Sequence, residues 1–208
     1  MELRRFLEKV AADTPTPGGG SASALAGALS ASLVAMVAGL SFKKGQLKKG
    51  RIEQIREKAL LIRDRLIQAI IEDSKSFDAV MKAIRLPKNS EKERLYRSRR
   101  IQKAYQNATL SPRLVCRLSI QLLEYSKLFI LKGNPNTLSD AGVAAFLADA
   151  ALAGGLLNIG INLAALTDKK FIGEMNRFIR RWTRERNRLM KEIRIKLYPF
   201  GIGRSFAF

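Results

Sequence analysis

Chemistry in this sequence must come from carboxylates, amides, hydroxyls, lysines and backbone dipoles. The chain has no histidine and a single cysteine, Cys116. The commonest general base and metal ligand is therefore missing, and a thiolate zinc site cannot be assembled. One acid has an unusual setting. Asp73 falls on the apolar stripe of a long helical segment, four residues before Phe77, and an acid facing a core is costly unless it is paired or has a task. Asp140 follows the turn G-N-P-N-T-L-S, where it can cap a helix or serve as a second acid. Asn158 and Asn162 stand at i and i+4 on an otherwise apolar helix, so both amides need partners. Gly18, Gly19 and Gly20, followed by Ser21, offer bare N–H groups at a helix start, a place for a carbonyl or carboxylate. Lys43, Lys44 and Lys88 are candidates for an anionic group.

These groups need elements to hold them, and the segment from Thr14 to Phe42 organises the rest. T-P-T-P-G-G-G-S leads into an uncharged run with helical spacing, expected as a helix over 22–41 capped by Ser21. Its small residues suit close packing at the centre of an all-helical domain. The run is also long enough to cross a membrane, but four serines and few large apolar groups favour a buried core helix. A short amphipathic helix is expected over 2–11 and a long one over 51–86. Ser90 and Glu93 have capping-box spacing for a helix from Glu91 to about Lys132, bent near Pro112. A second Ala/Gly-rich helix is expected over 140–166, opened by Ser139 or Asp140, and a basic amphipathic helix over 169–198. The fold class is all-α: one domain over 1–198, built from long antiparallel helices around two small-residue-rich central helices, with a tail at 199–208. No disulfide can form within the chain, and a cytoplasmic location is expected.

The formal net charge of +20 over 208 residues calls for an anionic partner or a crowded basic surface. It is unevenly placed, since the first forty-two residues are neutral and the excess is greatest from Lys169 onward. A basic helical nucleic-acid-binding protein, or a helix lying on an anionic membrane, is accordingly the alternative class of function.

Several stretches, taken together and in order, resemble the cyclodeaminase/cyclohydrolase family of folate enzymes. They are T-P-T-P-G-G-G-S-A-S-A-L-A-G-A-L at 14–29, A-M-V-A-G-L-S-F-K-K at 35–44 and E-D-S-K-S-F-D-A-V-M-K-A-I-R-L-P-K at 72–88. I-Q-K-A-Y-Q-N-A-T at 101–109, G-N-P-N-T-L-S-D-A-G-V-A-A at 133–145 and N-I-G-I-N-L at 158–163 complete the set. The resemblance implies an all-α homodimer with a folate site near the subunit interface and no cofactor or metal. It implies hydrolysis of 5,10-methenyltetrahydrofolate to 10-formyltetrahydrofolate or, alternatively, cyclodeamination of formimidoyltetrahydrofolate with release of ammonia. Asp73 and Asp140 then become the catalytic carboxylates. Pro17, Gly18, Gly19, Gly20, Ser21, Asn134, Asn158 and Asn162 become substrate contacts, and Lys43, Lys44 and Lys88 contacts for a polyglutamylated tail. Two departures stand out: Gly45-Gln46-Leu47 occupies a position where an aromatic residue is usual, and the last helix is more basic than in the family.

Overall fold

A computed structural model describes residues 2–200. Seven α-helices fill it: α1 (Leu3–Ala11), α2 (Gly19–Leu40), α3 (Lys49–Ile84), α4 (Glu91–Ala108), α5 (Leu110–Lys132), α6 (Leu138–Ala164) and α7 (Lys169–Leu197), with no strand among the described residues. The all-α expectation holds. Most of the tail expected at 199–208 lies outside the described residues.

The two small-residue helices do pair at the centre, running antiparallel. Ser30 Oγ on α2 donates to the Ala144 carbonyl of α6 at 2.7 Å. A Cβ on Gly154 would collide with Ser23 Oγ, and one on Gly27 would come within 3.5 Å of the Ala151 methyl. Backbone contact this close needs the absence of side chains, which is why Ala, Gly and Ser dominate both sequences. On the other side of α6, a Cβ at Gly155 would lie 2.7 Å from Cys116 Sγ of α5. α3 flanks α2, α4 returns along α3, and α7 lies along α5 and α6. By length and composition α2 and the stretch 135–164 would each reach across a membrane. In the fold they pack into the bundle instead, and Ser21 and Ser30 of α2 and its C-cap Ser41 are buried with their hydroxyls bonded.

Three local expectations are corrected. α2 starts at Gly19, three residues earlier than expected, with Gly18 as N-cap and no side-chain cap; Ser21 is already inside the helix. As expected of a close-packed central helix, α2 turns Ala24, Ala28, Ala31 and Ala38 to the core together with Val34 and Val37, whereas Leu29, Met36 and Leu40 are exposed. α6 opens at Thr137 rather than at Ser139 or Asp140, because a 3-10 turn over Pro135–Thr137 runs straight into it. The expected bend at Pro112 is a break at Thr109. Pro112 has no N–H for the Ala108 carbonyl four residues back, and its ring crowds that group. The freed carbonyl accepts a hydrogen bond from Asn162 Nδ2 of α6 at 3.0 Å. The Ser90–Glu93 capping box forms as expected.

Candidate active site

The site grows from the N-terminus of α2 where it meets the middle of α3. α3 buries Ile62, Leu66, Ala69 and Ile70 against the core. Continuing that face by one turn brings Asp73 to the start of α2. Its carboxylate lies against Gly20, and any Cβ there would strike Asp73 Oδ1. Ser21 Oγ donates to Asp73 Oδ2 at 2.9 Å, with the Ile70 carbonyl as a longer partner at 3.4 Å. Thr16 Oγ1 donates to Ser74 Oγ at 3.0 Å, tying the proline-glycine loop to the same turn of α3.

Asp73 has no ion pair among the described residues. Burial pushes its carboxyl above the ordinary carboxylate range, and the Ser21 hydroxyl and backbone bonds oppose that rise. The arginine partner that would make it merely structural is missing.

Asp73 opens onto a cleft of about 300 Å3. One wall is Gly18, Gly19 and Gly20. The opposite one is Phe77, Val80 and Met81 of α3 with Tyr105 of α4, and Asn158 and Asn162 of α6 close a third side. Asn158 Nδ2 donates to the Gly154 carbonyl at 2.8 Å, and Asn162 Nδ2 to Ala108. Each amide therefore keeps its Oδ1 free to accept from a guest. Asp73, Gly18, Gly19, Gly20, Asn158 and Asn162 line the cleft, and Ser21 supports it from beneath. Pro17 sits half-buried in the loop behind it, after a cis Thr16–Pro17 bond.

The remaining candidates lie elsewhere in the chain. Asp140 is in the first turn of α6, near the far end of α2. Some fifteen residues of helix, about 20 Å, separate it from Asp73, so one chain does not bring the two acids together. Asn134 holds its own turn onto the end of α2. Its Nδ2 donates to the Leu40 carbonyl at 2.9 Å, its N–H to Ser41 Oγ at 3.0 Å, and its Oδ1 accepts from the Asn136 N–H. Lys43 and Lys44 are exposed at that same far end. Lys88 is exposed at the tip of the α3–α4 hairpin, beyond Ile84, which is itself about 16 Å along α3 from Asp73. Sequence reasoning did not single out Tyr105, Phe77, Val80 or Met81 as cleft residues; the last three lie on the apolar stripe of α3, and Val80 is buried as well as facing the cleft. Helical periodicity marks a face as apolar, but it cannot tell a core from a cleft wall.

Geometry and chemistry together define an all-helical protein with a lone carboxylate in a part-apolar cleft roofed by a glycine-rich helix start. The formiminotransferase-cyclodeaminase family model matches residues 2–181, and the chain belongs to that family. A methenyltetrahydrofolate cyclohydrolase from Methylorubrum extorquens is 39% identical over 174 residues, which span 83% of this chain and 84% of that one. A formimidoyltransferase-cyclodeaminase from Gallus gallus is 30% identical over 190 residues, 88% of this chain but 34% of the longer relative. The crystal structure of formiminotetrahydrofolate cyclodeaminase from Thermotoga maritima superposes with a TM-score of 0.86 at 27% identity, covering 96% of this chain and 97% of that one.

Proposed function

We propose that this protein hydrolyses 5,10-methenyltetrahydrofolate to 10-formyltetrahydrofolate, with Asp73 as the general base. The observation that carries the reading is the unpaired, part-buried Asp73 carboxylate at the mouth of a cleft sized for a bicyclic ring. The methenyl bridge is a cation, so an ionised carboxylate beside it stabilises binding without a metal or cofactor. Asp73 then takes a proton from water as the water oxygen bonds to the bridge carbon, giving a neutral tetrahedral carbon. Collapse breaks the bond to N5. The protonated Asp73 gives its proton to N5, the hydroxyl proton leaves to solvent as the formyl C=O forms on N10, and Asp73 is ionised again.

Phe77, Val80, Met81 and Tyr105 flank the pterin ring in this reading, and the Oδ1 atoms of Asn158 and Asn162 accept from its N–H groups. The similarity to the M. extorquens cyclohydrolase over most of both chains supports hydrolysis as the reaction. Cyclodeamination of formimidoyltetrahydrofolate is the second reading, favoured by the close superposition on the T. maritima cyclodeaminase. The proposal extends to a cytoplasmic homodimer acting on polyglutamylated folate. Exposed apolar stripes on α2 (Leu29, Met36, Leu40) and α6 (Val143, Leu157, Ile161) support the dimer. In such a dimer Asp140, Lys43 and Lys44 can reach a cleft only from the partner subunit.

The test is loss of the methenyltetrahydrofolate absorbance on adding pure protein, with Asp73→Asn beside it. Rapid loss that the substitution abolishes supports hydrolysis. Inertness towards methenyl-folate with ammonia release from formimidoyl-folate moves the assignment to cyclodeamination.

A further inference from the structure

A second concavity is remote from Asp73 and shares no residue with its cleft. It is a groove of about 1030 Å3 between α5 and α7. These helices run parallel in register. Arg113 meets Phe178, and Lys127 meets Glu192, the same sixty-five residues ahead. The sequence places arginines along both walls, at 113 and 117 on α5 and at 177, 181, 184 and 188 on α7. Successive steps of three or four residues set them about 5–6 Å apart along each helix.

Most of this charge is unspent. Arg188 is neutralised by Glu185 and Glu192, at 2.5 and 2.7 Å. The other five arginines make no ion pair among the described residues, and Glu124 is the remaining acid of the lining. Arg113 and Arg181 lie over the rings of Phe178 and Trp182, with 5.5 and 5.3 Å to the ring centroids. A guanidinium stacked on a ring is held in place while its edge keeps N–H donors for an anion. Arg113 Nε is buried without a hydrogen-bond partner. An aromatic floor between two rows of free arginines is the combination that takes phosphates on its walls and bases on its floor.

We propose that the α5–α7 groove binds single-stranded nucleic acid. Neighbouring helices stand about 8–10 Å apart, which suits one strand and not a duplex. A membrane surface fits less well. The apolar face of α7, with Met175, Leu189, Met190 and Ile193, is buried in the bundle, and the groove is concave with no exposed large apolar side chain in its lining.

The test uses the full chain and labelled oligouridylate and oligothymidylate, read by anisotropy and by quenching of Trp182, the only tryptophan. Binding is expected with a log–log salt slope of about −3, from roughly 0.7 per phosphate over four to five contacts. Arg117→Glu with Arg181→Glu is expected to weaken it at least about tenfold. Lys58→Glu with Arg99→Glu, exposed and off the groove, makes the same charge change and is expected to cost much less. Unchanged circular dichroism and unchanged folate turnover in the groove variant show that fold and Asp73 site are intact. Equal losses in both double variants would overturn the proposal in favour of diffuse attraction to a basic protein. So would absence of binding and quenching at about 100 mM salt, or capture by phosphatidylglycerol vesicles without oligonucleotide binding.

Discussion

The carboxylate of Asp73 occupies the space that a Cβ on Gly20 would need. The glycine run at the start of α2 is therefore a seat for the acid, and the third glycine is the one that contact requires. Gly20→Ala must push Asp73 aside or shift α2. Alanine is also the better helix former, by up to about 1 kcal/mol, which offsets part of the clash. Folate turnover is expected to fall at least about tenfold while the melting temperature moves little, because misplacing a reacting group costs rate before it costs fold. Turnover equal to wild type would refute a catalytic Asp73.

Asp73→Asn keeps shape and a partner for Ser21 but removes the base, and turnover is expected to drop by about 10²–10⁴. Stability should move the other way. The folded carboxyl titrates above its unfolded value because burial disfavours the ion, so the native state binds the proton more tightly. Stability contributed by that proton is present at low pH and is lost as pH rises through the raised value. At neutral pH the asparagine variant should melt higher than wild type, and the difference should vanish in acid. The wild-type rate should rise with pH as Asp73 ionises. A melting difference that grows in acid would contradict the assignment.

Asn162 tests the opposite case, a polar residue in the cleft wall whose amide also serves the fold. Its Nδ2 satisfies the Ala108 carbonyl that Pro112 leaves without a donor. Asn162→Leu leaves that carbonyl unpaired at a helix junction and is expected to cost about 1–3 kcal/mol in chemical denaturation. Asn158→Leu breaks only a bond within its own helix, to Gly154, and should raise KM with a smaller stability loss. Equal destabilisation by both would remove the junction role.

Much of this was legible beforehand, for reasons that particular residues make plain. Helix existence followed from apolar spacing, and the Ser90–Glu93 box followed from local chemistry alone. Asp73 stood out because an acid on an apolar stripe is conspicuous. Asp140 was readable as a helix cap or as a second acid, yet the antiparallel pairing of α2 with α6 sends it to the far end, and that is a tertiary fact. The direction of α2 was hidden for the same reason. When glycine and alanine make the closest helix contact, some large residues (Leu29, Met36 and Leu40) are left outside while Val34 and Val37 stay buried, so hydrophobicity alone does not pick the inner face. The α5–α7 groove was half visible, since the arginines of α7 were evident but their alignment with Arg113 and Arg117 depends on the register of two helices sixty-five residues apart.

The outward-facing large residues of α2 lead to the last expectation. Leu157 and Ile161 on α6 are 69% and 71% exposed near the start of α2, and Leu29, Met36 and Leu40 are exposed along the rest of α2. Apolar stripes on two neighbouring helices are costly in water and fit a self-complementary interface between two copies of the chain. The wild-type chain is expected to sediment as a dimer. Met36→Glu with Leu157→Glu should give a helical monomer, since both side chains are exposed, neither lines the Asp73 cleft, and the central contacts of Ser23, Gly27 and Ser30 are untouched. The monomer's turnover then reports on Asp140. Activity retained without the partner would confine the chemistry to Asp73 and its own cleft. Activity lost from a folded monomer, with Asp140→Asn equally inactive as a dimer, would place the second acid across the interface.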